Sequence, residues 1–215
     1  RRWAPDEAGV RASVEESLDR MGLDSVDILY LHDPDVYDLD EGIRTALPAL
    51  EKLRREGMAK AIGVGANSAD ALLACVENAD PDLIMLAGRY TLLEQPALNG
   101  LLPACTRRGV GVVNVGVFNS GLLASHAVRD DAHYNYRPAP QPVIDRARRL
   151  ADVCREYDVE LPAAAIQFSL RHPAVRTVVV GARTRDQIRQ NMAHMATEIP
   201  DQLWEALMSE GLVPA

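Results

Sequence analysis

A few short stretches carry side chains able to do chemistry. His32-Asp33-Pro34-Asp35 sets an imidazole beside two carboxylates. Such a His serves as a catalytic group, a hydrogen-bonded structural residue, or part of a metal site. No second His or Cys stands at ligand spacing, which argues against a metal. Gly63-Val64-Gly65-Ala66-Asn67-Ser68 ends on two polar residues, either of which can cap a following helix. Gly88-Arg89-Tyr90 brings a cation to the end of an apolar run. Phe118-Asn119-Ser120-Gly121 reads as a plain turn or as an anion cradle built from backbone N–H groups and a hydroxyl. Gly181-Ala182-Arg183-Thr184 offers a second glycine-led loop with a cation. Cys75, Cys105 and Cys154 lie far apart among apolar residues. They read as small buried hydrophobes rather than a disulfide framework or metal pair, consistent with a reducing, cytoplasmic setting.

These stretches follow strand-like runs, and the runs alternate with helix-like ones. Helical periodicity predicts helices over 7–21, 43–56, 69–78, 97–108, 143–157, 163–171, 185–195 and 201–209. Pro48 inside the second implies a late start or a kink. Bare apolar runs predict five strands, at 26–31, 60–64, 82–86, 110–117 and 177–180, with both faces buried in a parallel sheet. Residues 125–142, with Pro138, Pro140 and Pro142, form the one long loop, of a length that suits a lid. A parallel sheet is either doubly wound or a (β/α)8 barrel. Gly63-Val64-Gly65 lacks the third glycine and the acidic ribose contact of a dinucleotide-binding turn. Polar residues directly after several strands favour the barrel, whose C-terminal face carries active sites. A barrel needs eight strands, and the first one here follows a helix. The chain is therefore expected to hold strands 4–8 only, with about three βα units missing. Its first and last strands would then be unpaired edges that invite another chain.

Composition sets the remaining bounds. The 215 residues carry 23 Lys plus Arg against 31 Asp plus Glu, a formal charge of −8, and 47% are hydrophobic. That is enough apolar material for one globular domain, 1–215, and excludes a disordered chain. Acidity and only two Trp and two Phe argue against a nucleic-acid-binding face. No apolar run approaches the roughly 20 residues of a membrane span. Arg1-Arg2-Trp3-Ala4-Pro5 opens no apolar signal segment, and the first residue is not Met.

Five motifs, in order, resemble the aldo-keto reductase superfamily. They are Ile28-Leu29-Tyr30-Leu31-His32-Asp33-Pro34, Lys60-Ala61-Ile62-Gly63-Val64-Gly65-Ala66-Asn67, Leu86-Ala87-Gly88-Arg89-Tyr90-Thr91-Leu92-Leu93, Val117-Phe118-Asn119-Ser120-Gly121-Leu122-Leu123, and Gly181-Ala182-Arg183-Thr184. The third and the last two are similar to the branch holding L-fucose (D-threo-aldose) dehydrogenases and pyridoxal 4-dehydrogenase. The resemblance implies a barrel that binds NAD or NADP across its C-terminal face and moves hydride between nicotinamide C4 and a substrate carbon. It further implies a tetrad of Asp, Tyr, Lys and His. Only the His is matched here, by His32, so this chain alone is expected to be inactive.

The same resemblance assigns the cofactor. Asn67 would bond the nicotinamide carboxamide, unless it caps a helix. Phe118, Asn119, Ser120 and Gly121 would meet the pyrophosphate. Gly181, Ala182, Arg183, Gln187 and Asn191 would meet the adenosine phosphate and adenine. Gly181 and Gln187 stand where strict NADP enzymes place Lys and Arg, so NAD is favoured. The family's strand-six Gln falls near Ile84 or Met85, and its nicotinamide-stacking aromatic at Val115. Asp33, Arg89 and Tyr90 are candidates for the substrate, with an Arg89–Asp33 ion pair as the plainer alternative. His126, His133, His172 and His194 receive no role. The implied reaction is oxidation of an aldose at C1, with reduction of a small aldehyde as the alternative. A silent NAD(P)-binding module that meets partner proteins is the reading from another class.

Overall fold

The computed structural model describes residues 3–214; Arg1, Arg2 and Ala215, and the readings that touch them, lie outside. The chain packs as two compact units. The first runs to Ala87 and resumes over Ala97–Val113; the second takes Gly88–Pro96 and everything from Asn114 onward.

The first unit opens with α1 (Glu7–Met21), close to the predicted span because both ends carry their signals. Asp6 accepts from the Gly9 N–H at 2.7 Å, and Gly22 closes the helix at φ 66°. Then follow β1 (Val26–His32), α2 (Pro34–Tyr37), α3 (Leu39–Glu41) and α4 (Leu47–Arg55). A π-helical turn over Gly42–Ala46 precedes α4. It answers the Pro48 question: helix runs unbroken over 39–55, and the wider π-helical turn just before the proline takes up its missing N–H. β2 (Ala59–Ala66), α5 (Ala69–Asn78), β3 (Leu83–Ala87), α6 (Leu101–Arg108) and most of β4 (Gly111–Val115) complete this unit.

In the second unit, β5 (His133–Tyr134) and β6 (Arg137–Pro138) pair antiparallel. They are followed by α7 (Gln141–Glu156), α8 (Leu161–Phe168), β7 (Val175–Val179), α9 (Arg185–Ala196) and α10 (Asp201–Ser209). The expected structureless loop 125–142 therefore contains a hairpin. Its turn residues Asn135 and Tyr136 have φ 49° and 64°, the pair of left-handed conformations that a tight two-residue hairpin needs.

The main strands hydrogen-bond in the order β1-β2-β3-β4-β7, with β1–β2 and β2–β3 parallel. Order following sequence is the winding of a barrel wall; a doubly wound sheet reverses direction part-way. The expectation that both strand faces are buried holds over Ile62–Ala66 of β2 and needs correcting in β3 and β4. In β3 and β4 burial alternates: Ile84, Leu86, Val112 and Asn114 are fully buried while Leu83, Met85, Val113 and Val115 are half-exposed. Register puts Tyr30 beside Gly63 and Leu83, and His32 beside Gly65 and Met85. These two rows share the half-exposed face, because successive side chains alternate. Gly63 is there for space. A Cβ on it would stand 2.7 Å from the Leu83 carbonyl oxygen and 2.7 Å from the Tyr30 ring.

Candidate functional site

In the first unit the chemistry gathers at the C-terminal ends of β1 and β2. His32 is the last residue of β1, and Asn67 follows the last residue of β2. The Asp33 N–H donates to the Gly65 carbonyl at 2.7 Å, which ties the two strand ends together. Asp33 itself is left-handed, φ 47°, a conformation Asp tolerates better than most residues. Its Oδ2 lies 3.5 Å from His32 Nε2, and the imidazole is 78% exposed. So one carboxylate stands near the exposed His32 ring on one side. The Asn67 alternatives separate here: Ser68 is the N-cap of α5, its hydroxyl accepting from the Ala71 N–H at 3.2 Å. Asn67 is exposed and not spent on that cap.

In the second unit, a cavity of about 540 Å³ gathers most of the predicted cofactor residues. Phe118, Ser120 and Gly121 line it from the loop after β4; Gly181, Ala182, Arg183, Gln187 and Asn191 line it from β7's following loop and α9. The α9 N-terminus is locally built. Thr184 accepts from the Gln187 N–H at 3.2 Å, and Gln187 Oε1 accepts from the Arg183 N–H at 2.7 Å. That engagement fixes Gln187 as a loop-setting residue as well as a lining one. Gln190 and His194 also line the cavity. They were passed over, yet Gln187, Gln190, Asn191 and His194 fall at helical spacing on one polar stripe, which is a readable signal.

The loop Phe118–Gly121 departs from the simple backbone cradle. The N–H groups of Asn119, Gly121, Leu122 and Leu123 donate to carbonyls of the loop itself, at 2.9–3.2 Å. The exposed Ser120 presents the loop's hydroxyl at the cavity. Asn119, expected at the pyrophosphate, is buried and turned to other work: its Nδ2 donates to Glu94 Oε1 at 3.1 Å. Within the second unit Arg89 holds the Glu94 carboxylate, at 2.9 Å. Tyr90 is a packing residue, 4% exposed, its ring against Phe168 at 5.3 Å, and burial pushes its phenol up. All three cysteines are buried, and burial raises their thiols to about 11 for Cys75 and Cys105 and about 12 for Cys154. Such thiols stay protonated and inert near neutrality. Among the described residues no helix is long and apolar enough to cross a membrane.

Comparison with known proteins follows the same lines. The aldo/keto reductase family model matches residues 5–209. D-threo-aldose 1-dehydrogenase of a Pseudomonas species is 52% identical over 214 residues, covering 100% of this chain and 65% of the relative. Pyridoxal 4-dehydrogenase of Microbacterium luteolum is 40% identical, covering 95% of this chain and 62% of the relative. The chain thus spans just under two thirds of the length of either relative. Among solved structures, an aldo-keto reductase from Bacillus halodurans in its holo form superposes with a TM-score of 0.79 at 25% identity, covering 99% of this chain and 69% of that one.

Proposed function

Because the chain belongs to the aldo/keto reductase family, we propose that it is the dinucleotide-holding part of an NAD(P)-dependent oxidoreductase acting at C1 of an aldose such as L-fucose. The observation that carries this reading is the cavity of about 540 Å³ lined by eight of the residues assigned to the cofactor. Its size lies within the range of small-ligand sites, roughly 300–1,000 Å³, and its donors suit a phosphate-bearing ligand. Ser120 presents a hydroxyl to the pyrophosphate, Arg183 places a cation near the adenosine phosphate, and Asn191 offers an amide to the adenine amino group. Asn67 would hold the carboxamide and His32 would orient the substrate oxygen. When bound, the nicotinamide supplies the two-electron exchange with the substrate carbon. NAD is preferred over NADP because neither Gly181 nor Gln187 can form a charge-assisted bond to a 2′-phosphate.

The finer fold reading belongs to the same proposal: one domain, its five strands corresponding to the fourth to eighth of a closed eight-stranded barrel. So does the expectation that this chain alone binds without turnover, since it matches only the His of the tetrad. The aldose assignment draws on the 52% identity to an enzyme named for that reaction. Calorimetric titration of the chain with NAD and NADP tests the cofactor reading. Saturable binding with NAD tighter is expected. No binding of either would remove the reading.

A further inference from the structure

Three segments of the second unit meet at one oxygen atom. Glu94 Oε1 accepts from Arg89 Nη1 at 2.9 Å, from Asn119 Nδ2 at 3.1 Å and from the Tyr134 hydroxyl at 2.7 Å. Arg89 and Glu94 lie between β3 and α6, Asn119 in the loop after β4, and Tyr134 on β5 of the hairpin. The second arm of Arg89, Nη2, reaches Asn135 Oδ1 in the hairpin turn at 2.9 Å. The Arg89 and Glu94 side chains are only 16% and 23% exposed. Ionised partners in such partial shelter make the stronger class of hydrogen bond.

What depends on this carboxylate is specific. Asn119 Oδ1 is buried with no partner among the described residues. The amide is therefore tethered through Nδ2 alone, to Glu94 and, at a marginal 3.5 Å, to the Gly88 carbonyl. Asn119 and Ser120 are both left-handed, φ 44° and 60°. Backbone held this way persists only while its surroundings over-determine it. Phe118 and Ser120, on either side of Asn119, line the cavity, and β5 packs against the turn Asn119–Gly121.

We propose that Glu94 is a positioning residue for the dinucleotide cavity, fixing with one carboxylate oxygen both the loop Phe118–Gly121 and the hairpin that packs on it. The proposal rests on the dinucleotide reading of the cavity. Tyr134 supplies the hairpin's leg of the tether and Asn119 the loop's. Burial and the neighbouring Glu94 both push the Tyr134 phenol up, so this leg stays a donor across the physiological range.

The test uses the whole chain with Glu94→Gln, which keeps the side chain's shape, and Tyr134→Phe, which cuts only the hairpin leg. NAD and adenosine monophosphate affinities are measured by calorimetry. Chymotrypsin cleavage after Tyr136, exposed in the hairpin turn, reports hairpin anchorage without any ligand. Glu94→Gln is expected to weaken NAD about tenfold, as loss of one charge-assisted bond does. It should leave adenosine monophosphate unchanged, because that ligand needs only the Arg183 and Asn191 end. Cleavage after Tyr136 should quicken in both variants, while Tyr134→Phe weakens NAD by no more than about threefold. Unaltered NAD affinity in Glu94→Gln overturns the proposal, and so do equal losses for the two ligands, which would mark a general loss of stability. If the unmodified chain binds no dinucleotide, the cavity reading fails by itself; unchanged cleavage in both variants would then sink the tether separately.

Discussion

The strand ends that carry His32 and the loops that line the cavity are built in opposite ways. His32 is 78% exposed with one carboxylate 3.5 Å away. Nothing else around it among the described residues is arranged to set its tautomer or to carry a proton onward. The cavity loops, by contrast, are cross-braced. Glu94 joins three segments, and Thr184 and Gln187 cap one another's loop. The braces draw on residues far apart in the chain, Glu94 with Asn119 and Tyr134, so the cavity's shape is set by the fold of that unit rather than by any one loop.

The largest effect expected from this contrast is on rate. In a protein carrying the complete barrel, His32→Ala should lower kcat for L-fucose with NAD by about 10²–10⁴. The dinucleotide Kd should barely move, because His32 is not a lining residue of the cavity. Steady-state kinetics beside calorimetry would show the split. Unchanged kcat would remove His32 from the chemistry. The next effect is on stability and falls on the strands beneath His32. Gly63→Ala should cost about 1–3 kcal/mol, since overpacking of a filled site is paid in displaced neighbours. Gly65→Ala should cost far less, its added Cβ meeting Met85 at 3.5 Å. Urea melts of the two variants would tell whether the row under His32 is as rigid as the cavity loops.

How much of this could be read in advance follows the same division. Helices whose ends carry caps were legible: Gly22 after Glu7–Met21 and Ser68 before Ala69–Asn78 are local signals that packing did not override. Five strands and their order were legible because apolar runs and polar strand ends repeat. The face pattern was not. Leu83, Met85, Val113 and Val115 look as apolar as their buried neighbours, and only the fold decides which face helices cover. The hairpin was hidden by its turn, since Asn135-Tyr136 contains no glycine and each strand is two residues long. Glu94 was hidden for another reason. It reads as an ordinary surface charge in Leu93-Glu94-Gln95, and two of its partners stand 25 and 40 residues away. The motifs led to residues that do line one cavity, yet Asn119 is turned inward on a left-handed backbone, its amide on Glu94.

A smaller effect tests the cavity end directly. Arg183→Ala should weaken NAD about tenfold, the loss of one charge-assisted contact. NADP should be weakened at least as much, leaving the preference for NAD in place. Calorimetry with both ligands checks this. A variant that lost NADP alone would mean that Arg183 reads the 2′-phosphate and that Gly181 and Gln187 do not decide the preference.

The smallest effect compares the two units through their buried thiols. Cys75 and Cys105 lie in the first unit and Cys154 in the second, raised to about 11, 11 and 12 against an ordinary value of 9.0. For a thiol, a raised folded pKa means that the unfolded chain ionises first. Above about pH 9 the unfolded state then binds fewer protons than the native one, so stability falls as pH rises toward the folded values. Each thiol should contribute a loss of about 1 kcal/mol at about pH 9.5, and almost none at pH 8. Urea melts between those pH values, on the parent and on Cys→Ser variants taken singly, would measure the slope. If the cross-braced second unit opens less readily, Cys154 should also be the last of the three to react with a thiol reagent at pH 8. Earlier labelling of Cys154 would reverse the ranking of the two regions, because reaction of a buried thiol follows the opening of the structure around it.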